Sequence, residues 1–135
     1  MCIRDSLEKA GIPVHLIPFG SRLDPLGLLK LRRLTKRLGI HLIHSHMYRS
    51  NTPAMIMKLM DRRLKVVGHY HNVNTWESKR QENLDRYLAL RRDMNVAVSE
   101  AVRKDVVARL KIPNNKTTTL YNLSLIHISE PTRPY

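Results

Sequence analysis

The sequence is poor in cysteine and in long apolar runs, and each shortage excludes a class of protein. The single cysteine, Cys2, rules out an internal disulfide and suits a reducing compartment. No apolar stretch approaches the roughly 18 residues that a membrane-spanning helix needs. The residues Met1–Ser6 also lack the apolar core of a signal peptide. We therefore expect a cytoplasmic protein.

Acidic residues are scarce as well. The chain has 11 of them against 24 lysines and arginines, which gives a formal net charge of +13. Such an excess predicts attraction to an anionic partner, whether nucleic acid, phospholipid headgroups or a phosphorylated substrate. In other respects a length of 135 residues with 42% hydrophobic and 26% charged residues is ordinary for one globular domain.

The two ends of the chain do not continue the pattern of the middle. Residues 1–6 and 123–135 resemble translated sequencing-adaptor DNA, and we expect neither to belong to the fold. Each end carries one arginine and one acidic residue, so the net charge belongs to the central segment, residues 7–122. That segment is the predicted domain.

Strand-like and helix-like patterns alternate along this central segment. The predicted strands are Val14–Phe19, Ile40–Ser45, Leu64–His69, Met94–Val98 and Thr117–Tyr121. Strands that recur at intervals of roughly thirty residues, with a helix between them, predict right-handed crossovers and a parallel sheet. We expect an α/β fold, a Rossmann-like parallel sheet flanked by helices.

The first predicted helix has both terminal signals. Asp24 is its expected N-cap, Pro25 its first residue, and Gly39 follows its end. Leucines at helical spacing predict its buried face, and these are Leu28, Leu31, Leu34 and Leu38.

The later helices are predicted from similar signals. One begins near Thr52–Pro53, and another, over residues 76–91, is capped by Asn74 together with Glu77. Ser99 is the expected N-cap of the last helix.

Five cations lie together on the first of these helices. The basic patch consists of Lys30, Arg32, Arg33, Lys36 and Arg37. It is either a solvated face or a surface that docks on anionic lipid, where each cation adds about 1 kcal/mol. A nucleic-acid-binding module is the rival hypothesis, but the chain has one Phe, one Trp and no recognisable binding motif. We expect no nucleic-acid partner.

A binding site is expected at one edge of the sheet, because ligands of open parallel sheets bind beyond the carboxyl ends of the strands. Polar residues follow the predicted strands at Gly20–Arg22, His46–Arg49, His71–Asn72, Ser99–Glu100 and Asn122. Side chains with hydrogen-bonding or acid–base capacity therefore collect at this edge.

Two pairs of histidines need interpretation. His44 and His46 are two residues apart, as are His69 and His71, so each pair faces one side of its strand. Four converging imidazoles could bind a metal ion, but no cysteine or well-placed carboxylate accompanies them, and we expect no metal site. One alternative makes His44 and His69 hydrogen-bonded core residues. We favour His46 and His71 as exposed strand ends that contact a polyhydroxylated or phosphorylated ligand.

Four segments, taken in order, resemble family 4 glycosyltransferases. Ile40–His46 resembles their Asp-Ile-Val-His-x-His strand, and Val66–His71 resembles the next strand, which ends in a histidine at the active-site cleft. Val96–Arg103 closely resembles their Ala-Val-Ser-Glu turn from strand to helix. Lys116–Asn122 resembles the strand that precedes the interdomain linker. The resemblance covers residues 7–122.

The resemblance implies a GT-B enzyme of two Rossmann-like domains. Such enzymes transfer a sugar from a nucleotide-sugar to an acceptor, usually with retention and without a metal or other cofactor. This chain resembles the N-terminal, acceptor-side half, truncated so that its first strand, the glycine-rich loop and the C-terminal domain are missing. That domain is where the nucleotide-sugar mainly binds, so we expect the chain alone to be inactive. A non-catalytic ligand-binding α/β domain is the alternative.

The same resemblance assigns individual roles. It makes His71 the catalytic position, which lines the active site and contacts the transferred sugar. The predicted substrate-binding residues are His46, Tyr48 and Asn72, from their place at the sheet edge, and Ser99, which caps a helix facing the same cleft. His41 stands where the family has aspartate. If the acceptor is a lipid-linked or cell-envelope glycan, the basic patch would suit a peripheral position at the inner face of the membrane.

Overall fold

The computed structural model describes residues 3–73 and 78–121 and divides the chain into two units. The first unit, residues 1–39, contains helix α1 (Ile3–Lys9) and helix α2 (Pro25–Arg37), joined by a segment without helix or strand. The second unit, from Ile40 onward, contains the sheet.

The second unit alternates strand and helix. Its elements are β1 (Leu42–His46), α3 (Met47–Met60), β2 (Lys65–Tyr70), α4 (Lys79–Ala89), β3 (Met94–Ala97), α5 (Glu100–Leu110), a short 3-10 helix (Asn114–Lys116) and β4 (Thr117–Thr119). The four strands are all parallel and lie in the order β1-β2-β3-β4. This Rossmann-like α/β architecture confirms the predicted fold class.

The helices of the second unit lie on one face of this sheet. Each new strand adds on the same side of the last, so right-handed crossovers place α3, α4 and α5 together. Contacts agree with this, because the Ser45 hydroxyl donates to Asn51 on α3, and Tyr70 packs in one buried cluster with Val102 on α5. Side chains alternate along a strand, so the histidines of β1 and β2 lie on the opposite face.

The predicted ends of α2 are confirmed. The Asp24 carboxylate accepts hydrogen bonds from the amides of Leu26 and Gly27, at 3.0 and 3.3 Å, and Pro25 is the first helical residue. Gly39, just past the helix, has a φ of +61°, a left-handed conformation that glycine adopts without strain.

The predicted buried face of α2 is wrong at Leu38, which is 47% exposed because the helix ends before it, at Arg37. The other three predicted residues, Leu28, Leu31 and Leu34, are half-buried, and the fully buried positions of the helix are Gly27 and Thr35. A Cβ at position 27 would lie 2.8 Å from Cδ1 of Phe19, so the helix approaches the Phe19 ring closely only because this residue has no side chain.

Two strand predictions need correction. The segment Val14–Phe19 has no regular secondary structure and is no strand of the described sheet. Pro18, inside this segment, has no amide hydrogen, which removes a donor that strand pairing would use. The last strand is also shorter than predicted and ends at Thr119, although the Leu120 amide still donates to Ala97 O at 2.9 Å.

Helix α3 begins five residues earlier than predicted, so Pro53 lies inside it and leaves the Arg49 carbonyl without its usual donor. The proline signal was misleading because tertiary packing outweighs it. The buried residues of this stretch are Asn51, Thr52, Pro53, Ala54, Met55 and Met57, and α3 packs against both β1 and β2.

The caps of the last two long helices are visible in part. The predicted pair Asn74 and Glu77 lies outside the described residues, and α4 is capped by Ser78 and Gln81, which form a reciprocal capping box. Ser99 caps α5 as predicted.

The predicted domain boundaries stay predictions. Helix α1 runs across the expected boundary after residue 6, which says nothing of where that sequence comes from. The expected tail, residues 123–135, lies outside the described residues. Within residues 3–73 and 78–121, no helix is long and apolar enough to cross a bilayer.

Candidate functional site

The carboxyl ends of three parallel strands place the predicted site residues at one sheet edge. His46 ends β1, His71 and Asn72 directly follow β2, and Ser99 follows β3. Tyr48 lies in the first turn of α3. Asn72 is exposed, and His71 is half-buried beside it.

The structure brings His46 and His71 into direct contact. Nδ1 of His46 lies 2.9 Å from Nε2 of His71, so one ring donates a hydrogen bond and the other accepts it. Partial loss of contact with water lowers the pKa of His46, and the neighbouring imidazoles of His44 and His71 lower it further. The shared hydrogen bond requires that one of the two facing nitrogens carry no proton, so that it can accept.

The other two histidines extend this pair into a group of four. We call His44, His46, His69 and His71 the histidine cluster. Ring centroids lie 4.4 Å apart for His44 and His46, 5.0 Å for His46 and His69, and 4.5 Å for His69 and His71. His44 and His69 stack at 5.2 Å with an interplanar angle of 10°. The register of the sheet, in which His46 is opposite His69, creates this arrangement.

One alternative from the sequence made His69 a hydrogen-bonded core residue, and the structure differs from that expectation. His69 is buried, with 5% of its surface exposed, yet within the described residues neither ring nitrogen has a hydrogen-bond partner. An unsatisfied buried polar group costs about 1–3 kcal/mol. Burial lowers the pKa of His69 to about 4, helped by the imidazoles of His71, His46 and His44. That alternative is wrong for His44 too, which is exposed.

Several hydrogen bonds fix the start of α5. The Ser99 hydroxyl accepts from the Val102 amide at 3.3 Å. The Glu100 carboxylate accepts from Arg103 at 2.6 and 2.8 Å and from the Thr119 hydroxyl at 3.0 Å. These hydrogen bonds lower the pKa of Glu100 to about 2. The N-terminus of the helix is therefore held at the sheet edge.

Sequence reasoning missed a buried polar network behind β2. Arg92, 1% exposed, donates to Asp85 at 2.8 Å, to the Tyr70 hydroxyl at 2.6 Å and to Asn95 at 3.2 Å. The Tyr70 hydroxyl in turn donates to Asp85 at 3.2 Å. A Cβ at Gly68 would lie 2.8 Å from Nη1 of Arg92, so the glycine leaves room for the guanidinium.

This network adjoins the edge that carries His71 through Tyr70. Tyr70 immediately precedes His71, and burial raises the pKa of the Tyr70 phenol well above its usual range, so it stays a neutral hydrogen-bonding group. A charged residue within an otherwise apolar face cannot be recognised from a pattern of alternation, because that pattern assigns arginine to solvent.

The sequence model of Glycosyltransferase Family 4 matches residues 4–123. The chain belongs to Glycosyltransferase Family 4. A search of curated proteins gives no match.

Solved structures of similar fold include Alr3699/HepE and a glycosyltransferase. Alr3699/HepE of Anabaena in complex with UDP-glucose has a TM-score of 0.73 at 21% identity, covering 88% of this chain and 33% of its own. The same protein with UDP and glucose has a TM-score of 0.74 at 21% identity, with 90% and 34% covered. A glycosyltransferase from Rickettsia africae ESF-5 has a TM-score of 0.70 at 16% identity, with 87% and 31% covered.

The chain therefore spans about one third of the structures it matches. At these identities the likeness shows the fold, one half of a GT-B architecture. The predicted family and fold are confirmed. The roles of His71, His46, Tyr48, Asn72 and Ser99 in this family 4 chain stay predictions.

The family 4 strand that ends in His46 passes into α3 through one strained residue. Met47 has a φ of +68°. This left-handed conformation costs a residue other than glycine about 1 kcal/mol or more. The Ser50 hydroxyl donates to the carbonyl oxygens of His46 and Met47. These hydrogen bonds from α3 thus fix the turn that orients His46.

The basic patch lies in the first unit of this family 4 chain. Four of its members are exposed and Arg32 is half-buried. Three of them line a groove of about 390 Å³ between α2 and the segment that precedes it. Its lining is Val14, His15, Leu16, Ile17, Lys30, Arg33, Leu34 and Arg37. The groove combines positive charge with apolar surface, since Leu16 is 79% exposed.

Proposed function

We propose that this chain is the acceptor-side half of a GT-B enzyme that transfers a sugar from a nucleotide-sugar to an acceptor with retention. The observation that carries the proposal is the His46–His71 pair at the carboxyl edge of the family 4 sheet. Parallel α/β sheets bind ligands at this edge. The acceptor we propose is a lipid-linked or cell-envelope glycan.

The donor class is supported by one structural neighbour. The solved complexes of Alr3699/HepE contain UDP-glucose and UDP, which suits a nucleotide-sugar as donor here. In the family pattern the donor binds mainly to a C-terminal domain, and we propose that such a domain completes this enzyme. The chain alone then lacks most of the donor site, so we expect it to release no UDP from UDP-glucose. Steady UDP release by the purified 135-residue chain would contradict this.

The site residues have distinct proposed roles. His71 contacts the transferred sugar and is the catalytic residue. His46 holds the His71 ring through the 2.9 Å hydrogen bond. Tyr48, Asn72 and Ser99 offer hydroxyl and amide groups, which bind the hydroxyls of a sugar through hydrogen bonds. No metal or other cofactor takes part in the proposed transfer.

His71→Ala tests the catalytic role in a protein that contains this chain together with a C-terminal domain. Loss of a side chain that acts in the transition state typically lowers the rate about 10²–10⁴-fold, so kcat/KM should fall by at least a hundredfold. His41→Ala is the matched control, because His41 is exposed and lies outside the histidine cluster. Equal turnover of the His71→Ala enzyme and the wild type would sink the assignment.

We propose, second, that the basic patch attaches the enzyme peripherally to anionic lipid at the inner face of the membrane. The groove beside it supports this, because its cations Lys30, Arg33 and Arg37 adjoin apolar side chains that could contact lipid. Each cation near an anionic surface contributes about 1 kcal/mol. The attachment should therefore weaken with rising salt.

Vesicle flotation with the full chain tests this second proposal. Binding should require anionic phospholipid and should be lost in Lys30→Glu/Arg33→Glu. The control Lys79→Glu/Arg80→Glu removes the same charge from exposed positions of α4 and should still bind. Equal losses in the two variants would mean that net charge alone drives binding. Tighter binding to duplex DNA than to vesicles would favour a nucleic-acid partner instead.

A further inference from the structure

The histidine cluster lies where two adjacent strands place imidazoles on one face of the sheet. His46 is paired with His69 in the β1–β2 register, and His44 is two residues before His46. The sequence alone argued against a metal because no cysteine or carboxylate is near in the chain. Three imidazoles are nevertheless a complete protein ligand set for zinc, as in sites with a water in the fourth position.

The ligand atoms of three residues are close enough to share one ion. One ring nitrogen from each of His44, His46 and His69 lies within 4.8 Å of the others. Zinc–nitrogen bonds of about 2.0–2.1 Å in a tetrahedron place ligand nitrogens about 3.4 Å apart. His44 and His46 are exposed, so modest side-chain rotations can close the difference without moving the strands.

His69 gives a second, independent indication of a ligand. Its ring is 5% exposed, and among the described residues its nitrogens have no hydrogen-bond partner, although it touches three other imidazoles. Buried polar groups nearly always have a partner, so an unsatisfied one calls for an explanation such as a bound ion. A metal would accept the lone pair that no protein donor satisfies.

His71 fits the role of an orienting partner. It lies 2.9 Å from Nδ1 of His46, which leaves Nε2 of His46 for a metal. Metal-bound histidines almost always donate the other ring N–H to a neighbouring group, and that bond fixes the tautomer.

We propose that His44, His46 and His69 bind one divalent transition-metal ion, Zn²⁺ above all, with His71 as a positioning residue for His46. Imidazole ligands suit zinc, copper and nickel, whereas magnesium and calcium prefer oxygen ligands. The proposal concerns metal binding by this chain and does not rest on sugar transfer, in which we assign the metal no part.

Calorimetric titration of the untagged, metal-free 135-residue chain with Zn²⁺ tests the proposal. We expect one ion per chain and no binding of Mg²⁺. His44→Gln and His46→Gln change exposed residues, and each should weaken Zn²⁺ binding at least tenfold. His41→Gln is the matched control, an exposed histidine just before β1, and should bind as the wild type does.

Two further measurements separate coordination from loose surface binding. Co²⁺ bound to the wild type should show the visible absorption of a tetrahedral nitrogen site, and His44→Gln should lose it. His71→Ala should weaken Zn²⁺ binding about 10–100-fold, as loss of an outer partner typically does. The proposal is overturned if His44→Gln and His46→Gln bind Zn²⁺ like the wild type. It is equally overturned if His41→Gln weakens binding as much as they do.

Discussion

Replacing Arg92 by methionine should remove a large part of the stability of this chain. The guanidinium is 1% exposed and donates to Asp85, Tyr70 and Asn95 at 2.6–3.2 Å. Methionine fills much of the volume but leaves the 97%-buried Asp85 side chain without its cation. Breaking a buried pair by removing one partner costs about 3–5 kcal/mol. The free energy of unfolding of a protein of this size is about 5–15 kcal/mol, so the expected loss is a substantial fraction of it.

Urea unfolding followed by far-ultraviolet circular dichroism measures the effect. With an m-value of about 2 kcal/mol/M, a loss of about 4 kcal/mol lowers the midpoint by about 2 M. Arg91→Met is the matched control, because Arg91 is exposed and its guanidinium lies 3.5 Å from the centroid of the Tyr87 ring. An exposed cation–π contact is worth about 0.5–1 kcal/mol, so this control should lose no more than that.

The double variant Asp85→Asn/Arg92→Met separates lost charge pairing from lost packing. Asparagine removes the uncompensated charge, so the two changes together should cost about 2–3 kcal/mol less than the sum of the single changes. The reasoning fails if Arg92→Met is no more harmful than Arg91→Met. It also fails if the two costs add without coupling.

Two other perturbations have expected outcomes of definite sign. Gly27→Ala should destabilise the chain, since the new Cβ would lie 2.8–3.0 Å from ring atoms of Phe19. The same change in a Phe19→Ala background should be neutral or stabilising by up to about 1 kcal/mol. Thermal unfolding of the wild type, the two single variants and the double variant checks this. Burial tends to raise the pKa of Asp93, but its bonds with Lys58 and the Val66 amide outweigh burial and lower that pKa below 3.8. Asp93 therefore contributes stability above pH 3.8 that is lost as the pH falls through its folded pKa. Asp93→Asn should flatten this acid-side loss in urea titrations at different pH values, and an unchanged slope would contradict the assignment.

The parallel sheet was predictable because its evidence is local. Apolar runs, capping residues such as Asp24 and Ser99, and short connections all indicate the same elements. The start of α3 was not predictable, because Pro53 is a reliable signal for a first helical turn only when packing does not decide otherwise. The strand expected at Val14–Phe19 failed for a related reason: an extended segment becomes a strand only when a partner pairs with it.

The residues at the sheet edge of the candidate site were predictable from the sequence, but its buried part was not. A parallel sheet sends His46 and His71 to one edge whatever the register, so spacing alone could place them together. The contact of His69 with His46 depends on the β1–β2 register, which the sequence does not specify. The burial of His69 without a hydrogen-bond partner depends further on what surrounds it. Both properties come from tertiary structure.

Alternate residues of strand β2 contribute to two different properties, one set to the stability of the core and the other to the candidate site. Its residues Val66, Gly68 and Tyr70 face the helices, where they pack in the core or make room for Arg92. His69 and His71 alternate with them and face the other side. Because the two sets share a backbone but no side-chain contacts across the sheet, Arg92→Met should lower the free energy of unfolding while the folded molecules keep their Zn²⁺ affinity. A change in both would mean that the core network also sets the geometry of the histidine cluster.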